Sequence, residues 1–283
     1  MTEIILDHQK VLDLLPERDS YAHKGDFGKV FLLCGSVGYT GAAYLAAMGA
    51  LRSGAGLVYL GVPESIYAIE ATKLNEAIVF PLPEEDGKLC AKAIPKIMEL
   101  LPKMDAVLIG CGLGQSQGAL DVLSWVMENA TCPVVVDADG INLLSKHKSL
   151  LRGRKGPTVL TPHDGEFARL MGHLPGQDRT DAAAGAAHEL DCIVLLKGHE
   201  TRISDGTVCY HNCTGNPGMA VGGSGDLLAG IVVSLIGQGM SAITATAVAA
   251  WLHGAAGDRC AAESGQYGML PTDMLLALPR LMK

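Results

Sequence analysis

The 283-residue chain is 48% hydrophobic and 18% charged, a composition typical of a compact globular protein and not of a disordered one. Its formal net charge of −8 disfavours nucleic acid as a partner, because phosphate tracking needs clustered lysines and arginines, although backbone N–H groups can still bind a small phosphate. The apolar stretches are too short to span a bilayer, and the charged N-terminus has no secretory h-region, so we expect no membrane partner.

Cysteine usage indicates a reducing compartment. The chain has eight cysteines and no C-x-x-C pair, and most of them lie in or beside apolar runs. We therefore expect no disulfides and a cytoplasmic location. Cys209, His211 and Cys213 alternate along the chain, but a fourth ligand and the usual zinc spacing are missing. We assign no side chain as a direct metal ligand.

Six apolar runs that end in Gly, Asp or a turn predict strands buried on both faces, and therefore a parallel sheet. In chain order these runs are residues 29–36, 56–62, 105–110, 133–139, 157–163 and 192–198. Helical segments alternate with them, at residues 40–56, 117–130 and 178–191, and helices dominate after residue 226. The β-α order predicts a doubly wound, mostly parallel sheet with helices on both faces. We expect one domain over residues 1–283, with residues 1–20 as an appended helix.

One edge of the sheet is expected to be antiparallel. Residues 201–212 read as a hairpin, with Asp205-Gly206 at its turn.

Two glycine-rich loops follow predicted strands, at residues 35–41 and 110–116. In an open α/β sheet, ligands bind outside the carboxyl ends of the strands. The two loops therefore favour a ligand-lined cleft, although tight strand-to-helix turns explain each loop alone equally well. Neither loop matches a dinucleotide fingerprint or a P-loop.

Three polar residues end predicted strands. Asp137 can hold a magnesium-bound water or cap the next helix. His163 can contact a polar ligand or be structural, with Asp164 as the cap of the helix that follows. Lys197 can bind a phosphate or face solvent. The sequence alone leaves these alternatives open.

The strongest signal is the stretch GNPGMAVGGSGD, residues 215–226, directly before an apolar helix. The first N–H groups of a helix have no internal partners and form an anion site with the positive end of the dipole. A carboxylate there repels a phosphate but can accept a proton from a hydroxyl. Asp226 is therefore predicted to be a general base, and the N–H groups to stabilise a migrating phosphoryl group. The alternative is Asp226 as a plain N-cap.

At these residues the chain resembles the ribokinase-like superfamily, whose G-x-G-D anion hole corresponds to Gly223, Ser224, Gly225 and Asp226. From about Lys24 onward it is similar to the ADP-dependent NAD(P)H-hydrate dehydratases. The segments that carry the resemblance are GSVGYTGAA, DADGINLL, LTPHDGEF, KGHET and GNPGMAVGGSGDLLAG, in the family's order. Departures are mild: Val221 and Ser224 stand where threonine is expected more often.

The resemblance implies a ribokinase-like fold and a repair reaction. Hydrated NADH or NADPH would be dehydrated to NAD(P)H, with ADP converted to AMP and phosphate, through phosphorylation of the ring hydroxyl and loss of phosphate. It implies Asp226, with Gly223, Ser224 and Gly225, as the catalytic group: Asp226 would activate the hydroxyl, and the N–H groups of Ser224 and Gly225 would stabilise the transferred phosphoryl group. The implied contacts to the hydrated dinucleotide are Ala42, Ala43, Gly114, His163 and Asp226. The implied contacts to ADP are Lys197, Gly198, His199, Glu200, Thr201 and Gly225.

The same resemblance implies Mg²⁺, ADP or ATP as phosphoryl donor, and a homotetramer. Many relatives carry an epimerase domain ahead of this one, so we expect a separate epimerase. The main alternative is an ATP-dependent small-alcohol kinase of the same fold, such as a hydroxyethylthiazole kinase. A nucleotide sensor without turnover is disfavoured, because a binder has no need of a repelling acid.

Overall fold

The structure is a computed structural model that describes residues 3–283. Its main feature is a ten-stranded sheet. The strands of this sheet are β1 (Glu3–Ile5), β2 (Lys29–Leu33), β3 (Leu57–Pro63), β4 (Ile78–Leu82), β7 (Ala106–Ile109), β8 (Val134–Val136), β9 (Thr158–Leu160), β10 (Ile193–Leu196), β11 (Arg202–Ser204) and β12 (Cys209–His211). Strands β5 (Glu84–Glu85) and β6 (Lys88–Leu89) form a separate small hairpin.

Helices connect the strands and cover both faces of the sheet. They are α1 (His8–Leu14), α2 (Thr40–Arg52), α3 (Glu64–Lys73), α4 (Ile94–Leu100), α5 (Gln117–Asn129), α6 (Asp139–Leu144), α7 (Asp164–Met171), α8 (Arg179–Leu190), α9 (Ser224–Gly237), α10 (Ala242–Ser264) and α11 (Pro271–Ala277). Of these described helices, none is both long and apolar enough to cross a bilayer.

The strand order across the sheet is β1-β12-β11-β10-β9-β8-β7-β2-β3-β4. The seven strands from β10 to β4 pair in parallel, and β11 is antiparallel to both of its neighbours. The doubly wound sheet, the six predicted strands and the antiparallel edge are therefore confirmed. Strand order reverses between β2 and β7, which is the kind of position where open α/β sheets bind ligands.

The N-terminal prediction is wrong in part. Residues 1–2 lie outside the described part of the chain, and residues 3–5 form β1, which pairs in parallel with β12 at the sheet edge. Only residues 8–14 are helical. The sequence analysis also missed β4 and α3, because α3 buries only Ile66 and Glu70 and has no apolar stripe that reveals a helix.

Two buried layers sandwich the sheet, because successive strand residues point to opposite faces. In β2, Val30 and Leu32 join the layer under α2, α9 and α10, whereas Phe31 and Leu33 join the layer under α5, α7 and α8. All four side chains are fully buried. This double burial explains why the strands read as continuous apolar runs.

Helices α2 and α9 approach closely through glycine. A Cβ at Gly49 would lie 2.5 Å from the carbonyl oxygen of Leu227, and a Cβ at Gly230 would collide with the carbonyl oxygen of Ala46. The contact fixes α9, whose first turn forms the site described below.

This packing predicts opposite effects of two Gly→Ala substitutions. Gly230→Ala should lower the free energy of unfolding by about 2 kcal/mol, because overpacking a tight contact outweighs the gain in helix propensity. Gly185→Ala, at an exposed position of α8 with open space around it, should raise it by about 0.5–1 kcal/mol. Urea denaturation followed by circular dichroism measures both. Equal changes in the two variants would show that the α2–α9 contact is not tight.

Candidate active site

A cavity of about 1010 Å³ opens at the carboxyl ends of β8, β9, β10 and β12 and at the amino end of the antiparallel β11. It is wide enough for a nucleotide-sized ligand. Its wall is formed by residues near the strand ends (Asp137, Ala138, His163 and 197–201), Glu166 of α7, the loop residues 212–217 and 219–222, and residues 224–226, Leu228, Ala250, His253 and Gly254 of α9 and α10.

The first turn of α9 brings Asp226 to this cavity. Gly223 is the N-cap and has φ +93°, a left-handed conformation that glycine adopts without strain. A Cβ there would also collide with Leu45. Asp226 is the third residue of the helix, and its side chain does not cap it. The N-cap alternative for Asp226 is therefore excluded.

The helix start offers free donors. Within residues 3–283, the amide N–H groups of Gly225 and Asp226 donate no backbone hydrogen bond. The N–H of Ser224 instead donates to the carbonyl of Val221 at 3.3 Å. The resemblance implied Ser224 and Gly225 as the amide donors, and in this conformation Gly225 and Asp226 are the available pair. Two adjacent unpaired amides at a helix N-terminus form an anion site.

A buried ion-pair network lies beside this turn. Lys197 Nζ is 2.8 Å from Asp137 Oδ1 and 3.7 Å from Glu166 Oε2, and the carboxylate side chains are only 2% and 5% exposed. Burial opposes charge on Lys197, but the two carboxylates outweigh it and raise the pKa of Lys197. A Cβ at Gly225 would lie 3.4 Å from Lys197 Nζ, so the ammonium group sits against the helix start.

For Lys197 and for Asp137, the structure excludes one of the two alternatives that the sequence left open. Lys197 does not face bulk solvent, since its side chain is 19% exposed and ion-paired. Asp137 does not cap α6, whose N-cap is Ala138 without a side-chain bond. Its carboxylate instead accepts hydrogen bonds from Thr161 Oγ1 at 2.7 Å and from Lys197 Nζ.

Asp226 is electrostatically suited to proton transfer. Burial and the neighbouring Asp137 carboxylate raise the pKa of Asp226 to about 6. The carboxylate is therefore mostly ionised at pH 7 and still a competent base. His253 lies behind this turn, with Nε2 3.3 Å from Ser224 Oγ. Burial lowers the pKa of His253 to about 4, which makes it neutral at pH 7.

His163 has a structural role that the sequence assigned to Asp164. His163, and not Asp164, is the N-cap of α7: its Nδ1 accepts from the Gly165 N–H at 3.0 Å. Glu166 reciprocates by accepting the His163 N–H at 2.9 Å, which completes a capping box. Asp164 is the first helical residue and binds Arg179. The imidazole still lines the cavity, so capping does not remove it from reach of a ligand.

Arg179 braces the turn after β10. Its guanidinium donates to the carbonyl of Lys197 at 2.8 Å and to Asp164 Oδ1 at 2.9 Å. A Cβ at Gly198 would lie 2.7 Å from Arg179 Nη2, so glycine makes room for the guanidinium. The brace fixes the backbone from which Lys197 reaches α9.

In the reaction that the resemblance implies, we expect Arg179→Gln to raise the KM for the nucleotide about tenfold, because the turn that lines the cavity loses charge-assisted hydrogen bonds. Arg169→Gln, which removes the exposed Arg169 bond to Asn142, is the control and should leave KM unchanged. Steady-state kinetics with varied nucleotide measures both. An unchanged KM in Arg179→Gln would show that the turn needs no brace.

All six predicted nucleotide contacts and part of the predicted substrate set line the cavity. The residues that line it are His163, Lys197, Gly198, His199, Glu200, Thr201, Ser224, Gly225 and Asp226. Ala42, Ala43 and Gly114 do not line it. Ala43 is fully buried, and Gly114 is buried with its N–H bonded to Asp139 Oδ2 at 2.9 Å. This conformation gives Ala43 no surface for the substrate contact that the resemblance implies.

The sequence reasoning missed several parts of the wall. Ala138, which the sequence reasoning missed, and Glu200, which it predicted as a nucleotide contact, have φ of +49° and +56°, conformations that cost energy for non-glycine residues and often mark functional sites. Asn212, Thr214 and His253 belong to the loop after β12 and to α10. No spacing in the sequence connects these segments to Lys197, because only the packing of α10 brings them together.

The fold and the site define the class of protein to which the chain belongs. The structure is similar to a ribokinase-like superfamily protein from Enterococcus faecalis, with a TM-score of 0.87 and 29% identity over 98% of this chain and 94% of that chain. It is also similar to the ADP/ATP-dependent NAD(P)H-hydrate dehydratase from Bacillus subtilis, crystallised with ATP and Mg²⁺. That match has a TM-score of 0.84 and 31% identity over 99% of this chain and 98% of that chain. The chain is therefore ribokinase-like.

The family follows from the sequence match. The chain belongs to the NAD(P)H-hydrate dehydratase family, whose profile matches residues 30–280. Among curated proteins it is 44% identical, over 275 residues, to a bifunctional NAD(P)H-hydrate repair enzyme from Moorella thermoacetica. That alignment covers 95% of this chain and 52% of the relative, so the chain spans about half the length of that enzyme.

Proposed function

We propose that the protein dehydrates hydrated NADH or NADPH to NAD(P)H, with conversion of ADP to AMP and phosphate. The observation that carries the proposal is the joint position of Asp226 and the free Gly225 and Asp226 amides at one wall of a nucleotide-sized cavity. Family membership and the name of the similar Bacillus subtilis enzyme support it.

The proposed chemistry has two steps. Asp226 takes the proton of the ring hydroxyl. The hydroxyl oxygen attacks the terminal phosphorus of ADP, and AMP departs. The Gly225 and Asp226 amides and the Lys197 ammonium stabilise the negative charge of the transferred group. Elimination then expels phosphate, which leaves far more readily than hydroxide. Loss of the neighbouring ring proton forms the double bond and restores NAD(P)H.

The residues present fit a magnesium ion. Asp137 and Asp226 place carboxylate oxygens at the cavity wall beside the helix anion site, and Mg²⁺ prefers carboxylate and phosphate oxygens. Asp137 would hold the ion together with nucleotide phosphates, which leaves the Asp226 carboxylate free to accept the proton. When bound, Mg²⁺ supplies neutralisation of phosphate charge. Lys197 already neutralises part of Asp137, which leaves the phosphates as the main ligands.

An assay with varied donor tests the proposal. Purified protein is incubated with hydrated NADH and Mg²⁺, with ADP or ATP in turn, and the return of the reduced-nicotinamide absorbance is followed. We expect turnover with at least one donor and one phosphate released for each NADH formed. Nucleotide consumption that occurs only with a thiazole alcohol would support the small-alcohol kinase instead.

Three further properties stay predictions. The homotetramer and a separate epimerase that acts on the same substrate pool are implied by the resemblance, and the cytoplasmic location is implied by the cysteine usage. All eight cysteines are free thiols in the structure, which is compatible with a reducing compartment.

A further inference from the structure

Three potential metal ligands converge beside the cavity: the carboxylates of Asp137 and Asp226, which line it, and the fully buried thiol of Cys111, which does not. One ligand atom of each lies within 4.8 Å of the other two. They come from the loop after β7, the end of β8 and the first turn of α9. No sequence spacing links them, and the sequence analysis assigned no metal ligand.

The environment of the three groups favours a cation. Cys111 is fully buried, and its Sγ lies 3.6 Å from Asp137 Oδ2. Lys197 binds the other oxygen, Oδ1, so Oδ2 remains on the thiol side. Within residues 3–283 Asp226 forms no salt bridge, and its carboxylate lies within 4.8 Å of the Asp137 carboxylate, so the two negative charges repel each other. A divalent ion between the carboxylates would relieve this repulsion.

The donor set distinguishes one class of ion from another. Mg²⁺ is bound by oxygen and rejects sulfur, whereas thiolate and carboxylate together suit a softer ion in four-coordinate geometry. Three protein ligands leave one position open, and Asp137 and Asp226 line the cavity from which water or a phosphate oxygen can complete it.

We propose that Cys111, Asp137 and Asp226 form a binding site for a thiophilic divalent cation such as Zn²⁺ or Cd²⁺. On binding, a sulfur–metal bond forms and the thiol proton leaves to the buffer, without any change of oxidation state. If Asp226 is the general base of the proposed reaction, the ion removes that base and competes with Mg²⁺. The inhibition rests on the proposed function, but the binding does not.

Direct binding is tested on the nucleotide-free protein with Cd²⁺ as the probe. We expect an ultraviolet thiolate-to-cadmium charge-transfer band that saturates at one ion per chain. Cys111→Ser and Cys111→Ala should both lose the band, and calorimetry should show at least tenfold weaker Zn²⁺ binding. The control is Cys213→Ser, which removes an exposed thiol of the same cavity wall and should keep both signals.

A band that persists in folded Cys111→Ser or Cys111→Ala, or one that disappears in Cys213→Ser, overturns the site. Dehydration assays in Mg²⁺ give the second readout: Zn²⁺ should inhibit the wild type at concentrations at least tenfold below those that inhibit Cys111→Ser, each relative to its own Zn²⁺-free rate. A normal band without inhibition leaves the metal site intact and contradicts the role of Asp226 in the proposed reaction.

Discussion

Asp226→Asn should lower kcat by about 10³-fold to 10⁴-fold while the nucleotide still binds. Asn has nearly the same shape but cannot accept the hydroxyl proton. The free amides of Gly225 and Asp226 and the ammonium of Lys197 remain in place, so the anion site survives. The variant therefore separates proton transfer from phosphate binding.

Two measurements check this separation. The dehydration assay gives kcat, and calorimetry with ADP gives the affinity. Asp13→Asn, which removes an exposed acid of α1 that does not line the cavity, serves as the control and should leave both values unchanged. A near-normal kcat in Asp226→Asn would refute the assignment of Asp226 as the base.

The pKa of Asp226 also predicts a pH profile. Since burial and Asp137 raise this pKa to about 6, the rate should fall tenfold for each pH unit below 6 as Asp226 becomes protonated. If the wild-type rate instead falls only below about pH 4, the titrating group is an ordinary exposed carboxylate.

The same pKa predicts that Asp226→Asn stabilises the fold. The folded-state pKa of about 6 exceeds the unfolded value of 3.8, so the wild type is favoured when Asp226 is protonated and loses stability as pH rises from 3.8 to 6. Asn is neutral at every pH. At each pH, the free energy of unfolding of the wild type is subtracted from that of the variant. This difference should be up to about 3 kcal/mol larger at pH 8 than at pH 3.5. Urea denaturation in EDTA at both pH values measures this gain.

Lys197→Met should have the second large effect, a loss of about 3 kcal/mol in free energy of unfolding. The substitution keeps most of the side-chain volume but leaves Asp137 and Glu166 buried without their cation. An unpaired buried charge costs far more than the lost attraction of an exposed pair. Turnover should fall as well, because the ammonium beside Gly225 no longer faces the phosphoryl group.

Lys148→Met is the matched control for stability. It removes a similar side chain from an exposed pair, with Lys148 Nζ 3.7 Å from Glu189, and should change stability by less than about 1 kcal/mol. Thermal and urea denaturation of both variants give the comparison. If the two losses are equal, the network around Lys197 is not desolvated as the structure shows.

Much of the fold was predictable because strands that are buried on both faces have continuous apolar sequences. The six apolar runs around residues such as Val107 and Val135 became the parallel strands of the sheet. The strands at the edges of the sheet are not buried on both faces. Strand β4 has mostly half-exposed residues, and β1 consists of three residues that become a strand only because β12 offers a free edge.

The glycine-rich helix start of the site was predictable from the sequence, but the ion pairs within the site were not. The stretch around Gly223 and Gly225 revealed a helix-start anion site, since glycine and a following helix act locally. Lys197 and Asp137 read as separate strand ends with several possible roles. Their ion pair spans 60 residues of chain, and only the adjacency of strands β8 to β10 brings the side chains together.

The sequence by itself therefore determined the buried strands of the sheet, several of the helices between them and the glycine-led helix start with Asp226, because each depends on residues that are neighbours along the chain. Only the tertiary structure decided that Asp226 lies beside Cys111 and Asp137, that Lys197 is held by two buried carboxylates, and that His163 caps a helix. These properties depend on distances between segments far apart in sequence and on the loss of solvent around them. Both arise only when the strands and helices pack.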